Sequence, residues 1–352
     1  MKENDRQMQS YKILITIAAF VIVVAGMKAA KALLLPFLLS IFIAIISAPS
    51  LFWLRRKRIP MGISLLFVVV GILGVGLLIG VLVGASLNDF SRNLPMYQKN
   101  LQNEMSGISD SLGRLGFTLS DKMLLKYVDP GAAIRLTTNV LAAIGNVFSN
   151  AFLVFLTVVF ILLEAASFPA KLQTAFGSSN TSMEKFNNFT ASINRYMVIK
   201  TFMSLGTGIL VTVWLAVLGV DYPMLWGLVA FIFNYVPNLG SIIAAVPAVL
   251  LAFIQLGTTS AILAAVGYIV FNLIIGSIIE PRFLGRGLGL STLVVFLSLI
   301  FWGWILGPVG MVLSIPLTMT VKIALSSMDE TMWLSTLLEA GSLRQPTRER
   351  TE

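Results

Sequence analysis

The sequence predicts an all-α, polytopic membrane protein whose C-terminal half is an inverted repeat of two broken or re-entrant helical hairpins. Two observations carry this expectation. Of its 352 residues, 57% are hydrophobic and only 12% are charged, about half the charged fraction of a soluble protein. Helix breakers also interrupt apolar sequence at two places, Asn234–Pro247 (NYVPNLGSIIAAVP) and Gly307–Pro316 (GPVGMVLSIP). In lipid every backbone polar group needs an internal partner, so breakers at membrane depth imply backbone buried in protein or lining a cavity. Transporters build substrate sites from such segments, often in matching positions of two inverted repeats. The pattern therefore points to a membrane transporter whose site lies between the two breaks.

The N-terminal portion, 1–87, reads as three membrane helices. Ile13–Met27 and Ala32–Trp53 are separated only by Lys28 and Lys31, which requires a tight hairpin, with Pro36 in the first turns of the second helix. The first run lacks a small-residue cleavage site before Lys28 and flows into the second, so it reads as an anchor and not a signal peptide. Arg55, Arg56, Lys57 and Arg58 follow with no acidic residue to offset them. They are the strongest topology determinants in the chain and place this loop in the cytoplasm. Met61–Leu87 is the third span, with Gly62, Gly71, Gly74, Gly76, Gly80 and Gly84 as small residues that let neighbouring helices approach.

The segment 88–138 is expected to be an external hydrophilic helical region, with six basic and five acidic residues. Phe90, Leu94, Tyr97, Leu101, Ile108, Leu112 and Leu115 recur at helical spacing as a narrow, coiled-coil-like stripe. Such a seam fits packing on the chain's own membrane domain or contact between subunits, and its residues do not choose. The segment 139–200 holds a fourth membrane helix and a cytoplasmic amphipathic region, where Phe186, Phe189, Ile193 and Tyr196 form an apolar face.

The transport core is expected at 201–322, as two inverted span-plus-hairpin units. Thr201–Leu218 spans, then Met224–Val236 and Ser241–Phe253 flank the Pro237-Asn238-Leu239-Gly240 turn. Ala261–Ile279 spans back, then Ser291–Leu306 and Met311–Val321 flank Gly307-Pro308-Val309-Gly310. Apolar runs this short suggest re-entrant elements, though two full crossings per hairpin fit the same charges. Lys200, Arg282, Arg286 and Lys322 fall on the cytoplasmic side, while the outer loops 219–223 and 255–260 carry no Lys or Arg. A polar tail, 323–352, completes the chain.

Composition also excludes chemistry. With no cysteine and no histidine, the chain lacks thiol nucleophiles, His-based triads and the usual zinc ligands. No GxxxxGK[ST] phosphate loop occurs. No enzymatic activity, cofactor or metal is expected. The net charge of +9 reflects basic cytoplasmic loops and not a nucleic-acid surface.

Ionisable groups near the hydrocarbon are Glu164, Asp221, Glu280 and Arg282. A charge at a helix centre costs about 2.5–3.5 kcal/mol, but these four lie at the ends of apolar runs, where snorkelling reduces that cost. Glu164 and Asp221 read as interfacial caps. Glu280 is better placed, because Pro281 blocks ordinary helix continuation and Arg282 is a candidate ion-pair partner. Asn234, Asn238 and Asn272 both donate and accept, which suits a neutral, hydroxyl-rich ligand and equally suits interhelical contact. The candidate substrate pathway is therefore Asn234, Pro237, Asn238, Gly240, Asn272, Glu280, Arg282, Pro308 and Gly310, with Glu280 as the candidate coupling carboxylate.

At NYVPNLGSIIAAVP (234–247), EPRFLGRGLGLSTL (280–293) and FWGWILGPVGMVLSIPL (301–317) the chain resembles the autoinducer-2 exporter (AI-2E) family of bacterial permeases. The resemblance runs from about Lys12 to Leu325. It implies a multi-pass protein of the bacterial cytoplasmic (inner) membrane, with about eight membrane segments and cytoplasmic termini. It further implies a homo-oligomer that exports autoinducer-2, a small polar quorum signal, with effects on biofilm behaviour. No family set of substrate-contacting residues carries over. Some relatives are described as sodium/proton antiporters, which makes a cation/proton antiporter using Glu280 the alternative transporter. A non-transporting membrane scaffold acting through 88–138 is the alternative from another class.

Overall fold

The computed structural model describes residues 2–114, 139, 151–165, 171, 180–237, 239–284, 290–326 and 331–339. Every regular element among them is helical: α1 (Lys2–Ala29), α2 (Lys31–Arg56), α3 (Met61–Arg114), α4 (Ala151–Ala165), α5 (Asn180–Leu218), α6 (Pro223–Phe233), α7 (Gly240–Leu256), α8 (Thr258–Phe271), a π-helical segment (Asn272–Ile279), α9 (Glu280–Leu284), α10 (Thr292–Leu306), α11 (Pro308–Ser326) and α12 (Met332–Leu337). The all-α polytopic architecture expected from composition is the one observed. Five described stretches are long and apolar enough to cross a membrane: Lys31–Arg56, Met61–Glu104, Thr190–Leu218, Thr258–Phe283 and Pro308–Ser326. The chain divides into two compact units, one of residues 1–42 and 289–352 and the other of residues 43–288.

In the larger unit, α3 does not end at Leu87. It continues as one helix of 54 residues, about 81 Å at 1.5 Å per residue. The change from apolar to polar side chains leaves the backbone helical. Val83, Phe90, Tyr97 and Leu101 of α3 are buried against Val211 and Leu215 of α5, Trp226 and Val229 of α6, Ala248 and Leu251 of α7, and Tyr268 of α8. The stripe thus packs on its own unit from Phe90 to Leu101. Leu115 lies outside the described residues. The glycines of α3 were expected to receive neighbouring helices, yet a Cβ at Gly62, Gly71, Gly74, Gly76, Gly80 or Gly84 would meet nothing within 4 Å.

Helices α5 and α6 cross closely. A Cβ on Gly208 would stand 2.8 Å from the Gly227 carbonyl oxygen, and one on Gly227 would overlap Thr212 Oγ1. Helix α8 runs back along α5, where Trp214 Nε1 donates to the Leu263 carbonyl oxygen at 3.0 Å.

In the smaller unit, α1 and α2 are separated by the single residue Ala30, whose N–H donates to Gly26 O and whose carbonyl accepts from Leu33 and Leu34. Both helices place apolar side chains (Val24 and Met27, Leu34 and Leu38) against Trp302, Ile305 and Leu306 of α10. The ammonium of Lys28 sits 4.0 Å from the Trp304 ring centroid. Ser291 caps α10, its hydroxyl accepting from Val294 N at 3.2 Å.

Candidate functional site

The two breaks expected from sequence are present as helical hairpins, one in each unit. In the larger unit α6 ends at Phe233, and Asn234, Tyr235, Val236, Pro237 and Leu239 lie in the turn that leads into α7. The turn is closed by Val236 N donating to Phe233 O (2.8 Å), Leu239 N to Pro237 O (2.6 Å) and Gly240 N to Val236 O (3.2 Å). In the smaller unit Gly307, at φ 77°, reverses the chain and Pro308 opens α11. A proline at the first helical position loses no intrahelical hydrogen bond. The second arm was expected as Met311–Val321. It is instead the 19-residue helix Pro308–Ser326, long enough to cross a membrane, so shortness applies to α6 with its 11 residues and not to α11.

Gly240 and Gly310 hold equivalent positions. Each lies in the first turn of a returning arm, and each touches backbone of the outgoing one. A Cβ on Gly240 would overlap Phe233 O, and a Cβ on Gly310 would overlap Trp302 O. Across the second hairpin, Trp302 Nε1 donates to Thr318 Oγ1 at 3.0 Å. Gly307 faces the Lys31 ammonium, 3.0 Å from where a Cβ would stand, which sets this turn level with the α1–α2 junction.

The first hairpin reaches a buried ion pair. Lys200 Nζ donates to both oxygens of Glu280, at 2.6 and 2.8 Å, and the side chains are 6% and 14% exposed. One helical turn further along α5, Ser204 Oγ accepts from Asn234 Nδ2 at 3.0 Å. Between them, Thr201 Oγ1 accepts from Tyr235 OH at 2.8 Å and donates to Met197 O at 2.7 Å. Glu280 follows directly on the π-helical segment Asn272–Ile279. A π turn carries an extra residue, is rare, and concentrates at functional sites.

Among the expected pathway residues, Asn234 and Glu280 therefore meet the middle of α5, at Ser204 and Lys200, and Pro237 and Gly240 belong to the turn that follows Asn234. Asn272 opens the π segment, with its Oδ1 3.2 Å from the Cβ position of Gly276. Asn238 lies outside the described residues. Arg282 was the expected partner of Glu280, but it is exposed on α9, and Lys200 takes that place. Pro308 and Gly310 stand in the other unit. The topology residues Arg55, Arg56, Lys57 and Arg58 are all exposed, with Lys57 5.6 Å from the Trp53 ring centroid.

Sequence reasoning missed Lys200 as a site residue, because a lysine at the start of an apolar run reads as a topology signal. It also took Asp221 for a simple cap. Its carboxylate accepts from Tyr97 OH at 2.8 Å, its N–H donates to Gln255 Oε1 at 2.9 Å, and its carbonyl accepts from Trp226 Nε1 at 3.1 Å. Glu164 pairs with Lys171 on the exposed surface.

Buried charge that is fully paired, with amide and hydroxyl groups one turn away, presents hydrogen-bonding capacity with little net charge. Among the described residues no three of His, Cys, Asp and Glu are grouped to hold a metal.

The profile of the AI-2E family transporters matches residues 17–330. The chain is 42% identical over 316 residues to the AI-2 transport protein TqsA of Escherichia coli K12, covering 89% of this chain and 91% of that one. It is 39% identical to a Haemophilus influenzae protein named for transport with no substrate given, over 93% and 96% of the two chains. It is 35% identical to YhhT of E. coli K12, also named for transport alone, over 94% of each. With the paired hairpins and the apolar helices, these similarities make the chain a multi-pass membrane protein of the AI-2E transporter family.

Proposed function

We propose that this protein exports autoinducer-2 across the bacterial cytoplasmic membrane, as a facilitator or secondary transporter, with both termini in the cytoplasm and as a homo-oligomer. The observation that carries the substrate is the 42% identity to the E. coli AI-2 transport protein over about nine-tenths of both chains. The geometry supports a neutral cargo. Asn234, Ser204, Tyr235 and Thr201 offer amide and hydroxyl groups, while the nearby charges satisfy one another. The pathway residues of this reading are Asn234, Pro237, Asn238, Gly240, Asn272, Glu280 and Arg282 in one unit and Pro308 and Gly310 in the other.

The second reading is cation/proton exchange at Glu280, favoured by its burial beside a π-helical segment. Exchange would require Lys200 to leave the carboxylate, and the two short hydrogen bonds between them weigh against it. Flux in proteoliposomes, measured for autoinducer-2 under imposed sodium and proton gradients, separates the readings. Movement of the signal without a gradient supports a facilitator. Cation exchange without movement of the signal overturns the substrate assignment.

A further inference from the structure

Arg55, Arg56, Lys57 and Arg58 read from the sequence as topology determinants, a role that asks only for positive charge. Their setting in the fold is more particular. Two stretches long and apolar enough to cross a membrane, Lys31–Arg56 and Met61–Glu104, flank them, and only residues 57–60 lie between. A link this short, at no more than about 3.6 Å per residue, keeps all four cations at the level where the two helices leave the hydrocarbon. All four are exposed. No Asp or Glu occurs between Asp5 and Asp89, and none of the four makes an ion pair with another described residue.

The backbone of the turn holds a cation where a glycine would fit better. Lys57 N donates to the carbonyls of Trp53 (3.3 Å) and Leu54 (3.0 Å), closing α2, and Arg58 N donates to Arg55 O at 2.9 Å. Arg58 then takes φ 63°. Glycine adopts this left-handed conformation without steric cost and most often fills it just beyond a helix end. Strained residues cluster at functional sites, and the side chain that this strain presents is an exposed guanidinium. Its planar fork matches a phosphate oxygen pair.

The neighbouring surface supplies the rest of the ligand. Phe52 and Trp53 are 41% and 59% exposed, and each precedes a cation by one helical turn, Arg56 and Lys57 respectively. Cations and uncovered aromatic surface therefore follow one another from the membrane surface inward. A free anion would use the cations alone, and so would a nucleic acid. An amphiphile with an anionic head and hydrocarbon tails uses both.

We propose that the α2–α3 turn binds the phosphodiester head group of an anionic phospholipid, with its acyl chains against Phe52 and Trp53. Each basic residue at such a surface is worth about fivefold in affinity. The site concerns lipid and not cargo, so it stands independently of the transport reading.

The test places the full-length chain in nanodiscs of phosphatidylcholine with a minor share of phosphatidylglycerol. One or other lipid carries a photoactivatable acyl chain, and the crosslinked residues are mapped by mass spectrometry. Phosphatidylglycerol should label the end of α2 around Phe52 and Trp53 at least about fivefold above its share of the bilayer, and phosphatidylcholine should show no enrichment there. Arg58→Gly leaves three basic residues in the loop and relieves the left-handed strain. Its melting temperature should hold or rise while the phosphatidylglycerol labelling falls about fivefold. Arg58→Lys keeps both charge and strain and should retain most of the labelling without gaining stability. Equal enrichment of the two lipids would overturn the proposal, as would labelling unaltered in Arg58→Gly. Loss of labelling on adding soluble glycerol 3-phosphate would show a site for free phosphate and overturn it too.

Discussion

Lys200 and Glu280 lie 80 residues apart in sequence and meet through two hydrogen bonds of 2.6 and 2.8 Å, with both side chains largely withdrawn from solvent. Removing one member of a buried pair leaves an uncompensated charge and costs about 3–5 kcal/mol, whereas replacing both with neutral groups is far less costly. Lys200→Met and Glu280→Gln should each lower the melting temperature of the detergent-purified protein. The double variant should recover most of the loss. Strict additivity of the two single effects would show that the groups are not coupled.

The same pair bears on energy coupling. If Glu280 exchanges a proton, Glu280→Gln abolishes pH-driven flux while the Lys200→Met/Glu280→Gln double variant stays folded and equally uncoupled. If the pair is structural, the double variant transports with the same gradient dependence as the parent. Reconstituted flux under a proton gradient distinguishes the two.

Gly240 and Gly310 each abut a carbonyl of the opposing arm, which cannot swing aside as a flexible side chain would. Gly240→Ala and Gly310→Ala should each destabilise by about 3 kcal/mol, the upper end of ordinary overpacking, and reduce the yield of monodisperse protein. Gly74→Ala is the control, since its Cβ would enter open space. A thermal shift of Gly74→Ala as large as that of the hairpin variants would refute the steric account.

Tyr268 offers a cleaner probe of the membrane interior. Its hydroxyl is buried with no hydrogen-bond partner among the described residues, and an unsatisfied buried polar group costs about 1–3 kcal/mol. Tyr268→Phe is therefore expected to be neutral or stabilising by up to about 1 kcal/mol. Slower autoinducer-2 flux in this more stable variant would give the phenol a role in the pathway. Unchanged flux would leave it a packing residue.

The chain contains no cysteine, which makes accessibility simple to read. If the two turns border the pathway, cysteines placed at Asn238 and Val309 should react with small hydrophilic thiol reagents. Protection of both positions from both sides of the membrane would remove them from the pathway.

The breaks and the helical stripe were legible in the sequence, because each is a local pattern. Proline and glycine within apolar runs report on backbone geometry directly, and Phe90, Leu94, Tyr97 and Leu101 recur at the spacing of one helix face. The partner of Glu280 was not legible. Arg282 is two residues away, but side chains two apart on a helix point in different directions, while the folded chain brings Lys200 alongside from a distant segment. The continuity of α3 past Leu87 was not legible for a related reason. Polarity begins at Asn88, yet no capping glycine follows Leu87, and Pro95 is absorbed within the helix. Pro308 was read as a breaker when it is a helix starter.

The unbroken course of α3 constrains how this family can change length. Its apolar segment and its buried positions Phe90, Tyr97 and Leu101 belong to one rigid rod, so they share a rotational phase. Inserting one residue near Gly84 would turn everything beyond it by about 100° and advance it by about 1.5 Å. Phe90 would swing out of its core, and Asn93 and Tyr97 would leave the Asp221 loop. A seven-residue insertion nearly restores the angle but displaces those groups by about 10 Å along the axis. Neither change can be absorbed locally, as it would be in a loop. Relatives that keep the contact between α3 and the Asp221 loop are thus expected to hold the count of residues between Met61 and Tyr97 fixed, and to vary in length beyond Leu101.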